Sequence, residues 1–283
     1  MPTLDRYRFT GGTAVLTGAA SGMGEQMAHQ LAARGSDLVL IDRDEARLTT
    51  VADTLRGTHP DRTVHTHVAD LADTPALDDL AQRITTAAPH ITLLINNAGV
   101  ALGGTFDQLT GDEFDWVIDI NFRAPVTLTR LLLPRLGEGA HIVNVSSLYG
   151  LIAPPGQSAY AASKFALRGF SDALRHELAE QGIGVTTVHP GGIRTRIAES
   201  ARVASGVDEQ QLARGRANYA KLLSYPADKA AAQILDGVHR RKRRVLIASS
   251  AVVPDLLARL FPARYMDVLY RLHPQSRPSA LRR

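Results

Sequence analysis

A short β-type run at residues 13–17 (TAVLT) enters the glycine loop Gly18-Ala-Ala-Ser-Gly22-Met-Gly24, and a helical pattern follows at once, closed by Gly35. Strand, glycine loop and helix in that order begin a βαβ unit, which commits the chain to a parallel sheet covered by helices. Glycine lets a backbone approach a pyrophosphate closely, and a helix N-terminus offers free N–H groups and a positive dipole. The loop Gly18, Ala20, Ser21, Gly22, Met23, Gly24 is therefore a candidate dinucleotide cradle. Its spacing is G-x-x-x-G-x-G, and a tight strand–helix turn without a ligand would use the same glycines.

The next strand-like runs each deliver polar groups at their ends. Residues 37–41 (DLVLI) lead to Asp42, eighteen positions after Gly24. That is near the ~20 residues at which an acid reaches the adenosine ribose hydroxyls in dinucleotide folds. A carboxylate there repels a 2′-phosphate, which favours NAD over NADP. Arg43 pulls the other way. Asp44 suits the N-cap of the helix that follows. Residues 63–68 (TVHTHV) lead to Asp70 and Leu71, placed to edge an adenine ring. His65 and His67 share a strand face, but no third ligand accompanies them and no metal site is expected. The apolar run 91–95 (ITLLI) fits a central parallel strand and is followed by Asn96, Asn97, Ala98 and Gly99.

The chemistry concentrates between Ser147 and Lys164. Residues 140–145 form a strand leading to Ser147, Tyr160 comes thirteen positions later, and Lys164 four after that. The periodicity of ALRGFSDALRHELAEQ extends a helix through this stretch, so Tyr160 and Lys164 lie one turn apart on one face. A free phenol has a pKa of about 10, and a neighbouring ammonium favours the phenolate. Such a tyrosine can exchange protons near neutral pH, and the Ser147 hydroxyl, arriving from a strand end, can hold the same oxygen of a substrate. Tyr-x-x-x-Lys by itself is a weak signal. The chain has only four lysines, which strengthens it. Ser146 stands fourteen before Tyr160, and strand alternation points it to the opposite face.

Composition narrows the class. Of 283 residues 45% are hydrophobic, enough for a large α/β core. There is no cysteine, which excludes disulfides, thiolate metal sites and cysteine nucleophiles. The start, MPTLDRYRFT, lacks the apolar run of a signal peptide, and no uncharged apolar run reaches membrane-spanning length. A cytoplasmic protein with no stable membrane span is expected. Arginine outnumbers lysine, hinting at GC-rich coding DNA and a bacterial source.

Taken together, Thr17-Gly18-x-x-x-Gly22-x-Gly24, Asn96-Asn97-Ala98-Gly99, Ser147, Tyr160-x-x-x-Lys164 and Pro190-Gly191 resemble a classical short-chain dehydrogenase/reductase, in family order and at family spacing across residues 9–250. The resemblance implies a doubly wound, Rossmann-type α/β fold with a mostly parallel seven-stranded sheet and helices on both faces. It implies one NAD(P)-binding domain over residues 1–283, with a core at 9–250, a substrate lid at about 196–224 and a helical extension at 251–283. It casts Tyr160 as general acid/base, Lys164 as the group that lowers its pKa and holds the nicotinamide ribose, and Ser147 as the holder of the substrate oxygen. Asn121 becomes the support of a proton relay, although Ala124 replaces the glycine usual after it. Ile193 and Thr195, after Pro190-Gly191, hold the nicotinamide carboxamide. The reaction implied is hydride transfer between NAD (NADP possible) and an alcohol or ketone, with no metal and no nucleic acid, in a homodimer or homotetramer. Alternatives are an NADPH-dependent carbonyl reductase and a non-catalytic NAD-binding sensor or scaffold.

Three stretches fall outside those motifs. The lid region shows no β pattern and holds Arg196, Ile197, Arg202, Val203, Val207, Leu212, Arg214 and Arg216. Val100, Leu102, Leu148, Ile152, Pro154 and Pro155 would make an apolar crevice mouth, pointing to a lipid, steroid or terpenoid alcohol. The run Arg240–Arg244 reads as helix-end cations and a solvated turn rather than an anion-binding patch. In the extension, Leu256, Leu257, Leu260, Phe261, Tyr265, Val268, Leu269 and Leu272 recur at helical spacing, and Pro262 should split them into two helices. Burial of that stripe on its own domain or a partner subunit is expected, with docking on a membrane surface the lesser alternative.

Overall fold

The computed structural model describes residues 4–195, 201–207 and 223–272. Its centre is a seven-stranded parallel sheet built from β1 (Thr13–Thr17), β2 (Asp37–Asp42), β3 (Val64–Val68), β4 (Ile91–Asn96), β5 (Leu136–Val145), β6 (Gly184–Pro190) and β7 (Arg244–Ile247). The spatial order is β7-β6-β5-β4-β1-β2-β3. The chain thus starts mid-sheet, builds outward to β3, and crosses back to build outward from β4. Beyond the C-terminal ends of β1 and β4, where the order reverses, an open α/β sheet leaves a crevice.

Strand alternation sorts the core into two layers. Ala14, Leu16, Leu38, Leu40, Leu93 and Ile95 face one side, where α1 (Gly22–Ala33), α2 (Glu45–Thr58) and α7 (Ala227–His239) pack through residues such as Leu31, Leu55 and Ile234. Val15, Val39, Leu94 and Ile142 face the other. There α3 (Leu77–Ala87), α5 (Ala124–Leu132) and α6 (Ser158–Glu177) contribute Leu80, Leu128 and Leu174. Local chemistry sets several helix starts. Asp44 caps α2 by accepting from Arg47 N, as its position predicted, and Thr110 and Glu113 form a capping box on α4 (Gly111–Ile118).

The helical stretch that carries Asn121 is interrupted. Between α4 and α5, residues Asp119–Arg123 form a π-turn in which Ala124 N–H reaches back to Asp119 O. Pro125 explains the departure. It has no N–H to give the carbonyl of Asn121 four residues earlier, so the regular ladder cannot close there. A second polar feature ties α5 to α6 through the sheet. Asn96 Nδ2 donates to Thr129 Oγ1 (3.1 Å) and Asn144 Oδ1 (2.8 Å), and Asn144 Nδ2 donates to Ser171 Oγ (2.9 Å).

After β7 the chain forms α8 (Ser249–Leu260) and α9 (Tyr265–Leu272), separated at Phe261–Arg264 as Pro262 predicted. The apolar stripe is only partly buried. Leu257, Val268 and Leu269 are half-buried, but Leu256, Leu260, Phe261 and Leu272 are exposed, so their expected burial on the domain itself does not occur. The inward side of α8 carries Ala251 and Asp255 instead. Within the basic run, Arg241 turns inward. It donates to Ala140 O, Gly139 O and Asp5 O, to His141 Nδ1 at 2.9 Å, and lies over the Tyr7 ring.

Arg241 fixes the protonation of His141. With Nδ1 accepting from a guanidinium, Nε2–H donates to Thr186 Oγ1 (2.8 Å), whose own proton goes to Lys242 O. Burial lowers the His141 pKa to about 3, with Arg241 adding to the effect, and lowers that of His189 to about 4. The unfolded chain protonates both near the ordinary imidazole value, so below it the unfolded state binds more protons. Their contribution is complete above about 6.5 and is lost as pH falls toward 4 and then 3. The melting temperature should therefore drop on acidification from pH 7 to pH 5. The drop should be smaller in His141→Gln, whatever that variant's absolute stability, and equal slopes in the two proteins would remove His141 from the acid response.

Candidate active site

The crevice opens between the glycine loop and the ends of β2, β3 and β4. Gly18 and Gly22 have φ of +69° and +58°, a region that suits glycine. A Cβ at Gly18 would stand 2.9 Å from Ala98 Cα, and one at Gly24 would collide with the Gly18 carbonyl. These contacts bring β1, the loop and α1 together so tightly that no side chain fits. Ser21 does not cap α1 with its hydroxyl, so the first-turn N–H groups are not closed off by it. The loop is held from behind. Asn97 Nδ2 donates to Thr17 O (3.0 Å) and Gly18 O (3.2 Å), while Asn97 N and Ala98 N donate to Thr17 Oγ1. The two asparagines thus divide their work: Asn96 serves the interior and Asn97 braces the loop.

Asp42 is fixed at the far side. Its Oδ2 accepts from Ala20 N (2.9 Å) and its Oδ1 from Asp44 N (3.0 Å). The acid at the end of β2 is therefore tied to the loop it faces. The crevice is a cavity of about 270 Å³. Gly18, Ala20, Ser21, Gly22, Met23, Asp42, Arg43, Asp70, Leu71, Asn97, Ala98, Gly99 and Thr195 line it, all expected from sequence. Gly24 lies beneath it as a packing residue. Val100, expected at the crevice mouth, and Asp44, expected only as a helix cap, line it too, and so do Ile41, Ala69, Arg47 and Ile120, which were not anticipated. Arg47 had a legible signal, since it lies in the first turn of the helix that begins just after Arg43; Ile41 and Ala69 flank strand ends already singled out, and Ile120 precedes Asn121. The residues present suit a dinucleotide: a cradle that excludes side chains, an uncapped helix start and a positioned carboxylate.

Ser147, Tyr160, Lys164 and Asn121 gather at the other end, past β5. Lys164 is 3% exposed, and its Nζ donates to Val145 O at 3.0 Å. Burial lowers its pKa to about 8. The ammonium lies 5.8 Å from the centroid of the Tyr160 ring, which is itself buried and meets Tyr149 edge-on. Gly99 closes the space beside it, for a Cβ there would stand 3.2 Å from both Lys164 Nζ and Asn121 Oδ1. Asn121, in the π-turn, accepts from Val100 N (2.9 Å) and donates to Val100 O (3.0 Å) and Ser163 Oγ (3.1 Å). Ser163 in turn donates to Tyr160 O. Asn121 therefore clamps the loop after β4 to the helix that carries Tyr160.

Ser147 is half-buried at the mouth. Its Oγ accepts from Tyr149 N (3.1 Å), and its carbonyl accepts from His189 Nδ1 (3.0 Å). His189 was not singled out from sequence; its only signal is its place one residue before Pro190-Gly191. Ser146 is buried, and its hydroxyl donates to Lys164 O (2.8 Å), a structural task on the other side of the chain. Pro190 and Ile193 are buried, and Gly191 packs against Ser250. Thr195 closes over the loop, within 3.0 Å of where a Gly22 Cβ would sit.

At the mouth, Val100 and Leu148 are half-buried and Ile152 is buried, whereas Leu102 lies behind them in a small cluster with Val117 and Ala159. Pro155 is exposed. In the lid region, Arg196, Ile197, Leu212, Arg214 and Arg216 lie outside the described residues. Arg202 and Val203 pair with Leu102 and Gly103, a short β-contact that the sequence pattern did not announce. The Arg202 guanidinium stacks on Trp116, 4.0 Å from the ring centroid. Among the described residues no group of three or more His, Asp or Glu could hold a metal ion.

Known proteins share this arrangement. A short chain dehydrogenase family profile matches residues 12–205. The Mycobacterium tuberculosis protein SadH is 38% identical over 269 residues, covering 92% of this chain and 95% of that one. "Dehydrogenase/reductase SDR family member 7B" of Xenopus laevis is 34% identical over 268 residues, covering 90% and 80%. A short chain dehydrogenase/reductase from Burkholderia phymatum, solved in complex with NAD, superposes with a TM-score of 0.81 at 28% identity, covering 96% of this chain and 99% of that one. A short chain dehydrogenase from Burkholderia cenocepacia, solved in complex with NADP, gives 0.74 at 30% identity, covering 87% and 99%. With the profile spanning most of the chain, close relatives along nearly its whole length and the same parallel sheet, the chain belongs to the short-chain dehydrogenase/reductase family of oxidoreductases.

Proposed function

We propose that this protein is an NAD-dependent dehydrogenase that oxidises an apolar secondary alcohol to a ketone, and reverses that reaction, with Tyr160 as the general acid/base. The observation that carries this reading is the buried Lys164 ammonium, held by Val145 O and set beneath the Tyr160 ring where the crevice ends. A desolvated cation there stabilises negative charge on the phenol oxygen. In oxidation that oxygen takes the hydroxyl proton of the substrate; in reduction it returns a proton to the carbonyl oxygen. Ser147 orients the same oxygen. Its Oγ already accepts from Tyr149 N, so its own proton is the one left to give. Asn121 keeps the Tyr160 helix and the loop after β4 in register. NAD, when bound, would accept or supply the hydride.

The dinucleotide would lie along Gly18–Gly24, with its adenosine ribose at Asp42, its adenine beside Asp70 and Leu71, and its nicotinamide end near Asn97–Gly99, Lys164 and Thr195. A related structure holding NAD supports a nicotinamide cofactor, and one holding NADP keeps both forms in view. The fixed Asp42 carboxylate supports NAD, because it would repel a 2′-phosphate. Arg43 and Arg47, at the same rim, favour the second reading, an NADPH-dependent carbonyl reductase. The half-buried Val100 and Leu148 and the buried Ile152 support an apolar substrate.

Titration with NADH and NADPH, followed by fluorescence, should show tighter binding of NADH, and NADPH preference would select the reductase. Asp42→Ala removes hydrogen bonds from a charged acceptor, each worth about 1.5–3 kcal/mol, and should shift the NADP-to-NAD ratio upward by roughly 10–100-fold. Unchanged selectivity would place the ribose acid elsewhere. Against a panel of apolar secondary alcohols, Tyr160→Phe should lower turnover by roughly 10²–10⁴-fold while NADH still binds. A normal rate in that variant would remove Tyr160 from the mechanism. Ser147→Ala should lower kcat. Ser146→Ala should instead destabilise the fold by about 0.5–1.5 kcal/mol, by removing its buried hydrogen bond to Lys164 O, with turnover per folded molecule preserved. The reverse pattern would exchange the roles of the two serines.

A further inference from the structure

Six of the nine exposed large hydrophobic residues among the described ones fall between Val252 and Leu272. Four of them make one face of α8. Val252, Val253, Leu256 and Leu260 are 46–61% exposed and recur at i, i+1, i+4 and i+8, a single stripe on the helix. Phe261 extends it past the helix end. The helix is built in reverse, because a helix on the flank of a sheet ordinarily turns its apolar stripe inward. Here the inward side holds Ala251 and Asp255, and Asp255 is paired with Arg244 and Arg259. That partly buried ion pair sets the rotation of α8 and leaves the apolar side facing out.

The charge of the same segment says what would cover it. Residues 240–283 hold eleven Arg and Lys against two Asp, a net of +9, although the chain as a whole is +4. The remaining 239 residues therefore carry −5. Arg259, Arg264 and Arg271 are exposed alongside the stripe and on α9. The Arg244–Asp255 pair places the second half of α8 beside the start of β7, which brings exposed Arg240, Lys242 and Arg243 to that end as well. A second copy of this chain, related by a two-fold axis, would set one strongly cationic segment against another. An anionic lipid surface accepts the apolar stripe and answers the charge together.

We infer that the outward face of α8, with Phe261 and the flanking arginines, docks this protein peripherally on an anionic lipid bilayer. No described helix is long and apolar enough to cross one. The docking helices also hold the loops at the crevice mouth. Tyr265 OH accepts from Ala153 N (3.0 Å), six residues after Ser147, and Ser250 Oγ accepts from Gly192 N (3.2 Å). The lipid surface would thus lie about one helix diameter, ~10 Å, from those loops. The docking itself does not depend on the proposed reaction.

The test is co-sedimentation of the full chain with vesicles of phosphatidylcholine alone and of an equimolar mixture with phosphatidylglycerol. The expected result is binding to the mixture, weaker by roughly tenfold or more on pure phosphatidylcholine and at high salt. Leu256→Glu/Leu260→Glu should abolish it with circular dichroism and melting temperature unchanged, both side chains being exposed. Arg264→Glu/Arg271→Glu, a second variant that leaves the stripe intact, should weaken it in a salt-dependent way. Absence of binding to the mixed vesicles, or binding that survives in the glutamate variants, overturns the proposal. So does a wild-type dimer that ignores vesicles and dissociates in Leu256→Glu/Leu260→Glu, because the stripe is then an interface between copies.

Discussion

A buried ammonium governs the arrangement of this molecule. Removing a lysine cation from water is costly unless donors and acceptors close around it, and the residues near Lys164 are set by that need. Val145 O, at the end of β5, takes its hydrogen bond. Gly99 gives it room that any side chain would occupy, and Ser146 holds the Lys164 carbonyl so the helix cannot rotate it away. The lowered pKa, about 8, is the mark of the remaining desolvation. The polar chain from Thr129 through Asn96 and Asn144 to Ser171 does for the sheet what Lys164 does for the site. It ties two helices to two strands with bonds that a register slip would leave unmade.

The two ends of the crevice are stabilised by different means. At the glycine-loop end the backbone does the work: glycines that admit no Cβ, Asn97 holding the loop from behind, and Asp42 captured by two N–H groups. At the other end side chains on α6, the β5 end and the π-turn converge, and each is held by a neighbour rather than by its own rotamer alone. The π-turn belongs to this design. Pro125 removes one ladder bond, and Asn121 sits within the turn that results, bonded to both the β4 loop and α6. Local irregularity of this kind persists only where surrounding bonds over-determine it.

The C-terminal helices follow a separate logic. Arg244 and Asp255 form a partly buried pair, Asp255 also holds Arg259, and burial of these charges rather than of leucines decides which side of α8 looks inward. The same helices bond the loops after Ser147 and after β6. Whatever covers the apolar face is therefore mechanically connected to the crevice mouth. The N-terminal segment is anchored separately, through Tyr7 and Arg241.

Sequence alone announced the strands that lead into the crevice, the glycine loop, the cap at Asp44 and the split at Pro262, together with part of the crevice lining. These depend on short-range periodicity and on residue types whose backbone limits are intrinsic, so they can be read along the chain. Only the tertiary structure decided the matters that turn on contacts between distant segments. Asp42 gains its Ala20 partner because β2 runs beside β1. Ser146 is structural because α6 passes behind β5, and His189 supports Ser147 because β6 neighbours β5. Arg241 leaves its charge run to satisfy carbonyls about a hundred residues away, which no composition count reveals. The outward stripe of α8 is the clearest case. Its periodicity was plain in the sequence, but periodicity fixes only that one face is apolar. Which way that face points was set by an ion pair spanning eleven residues and a strand edge.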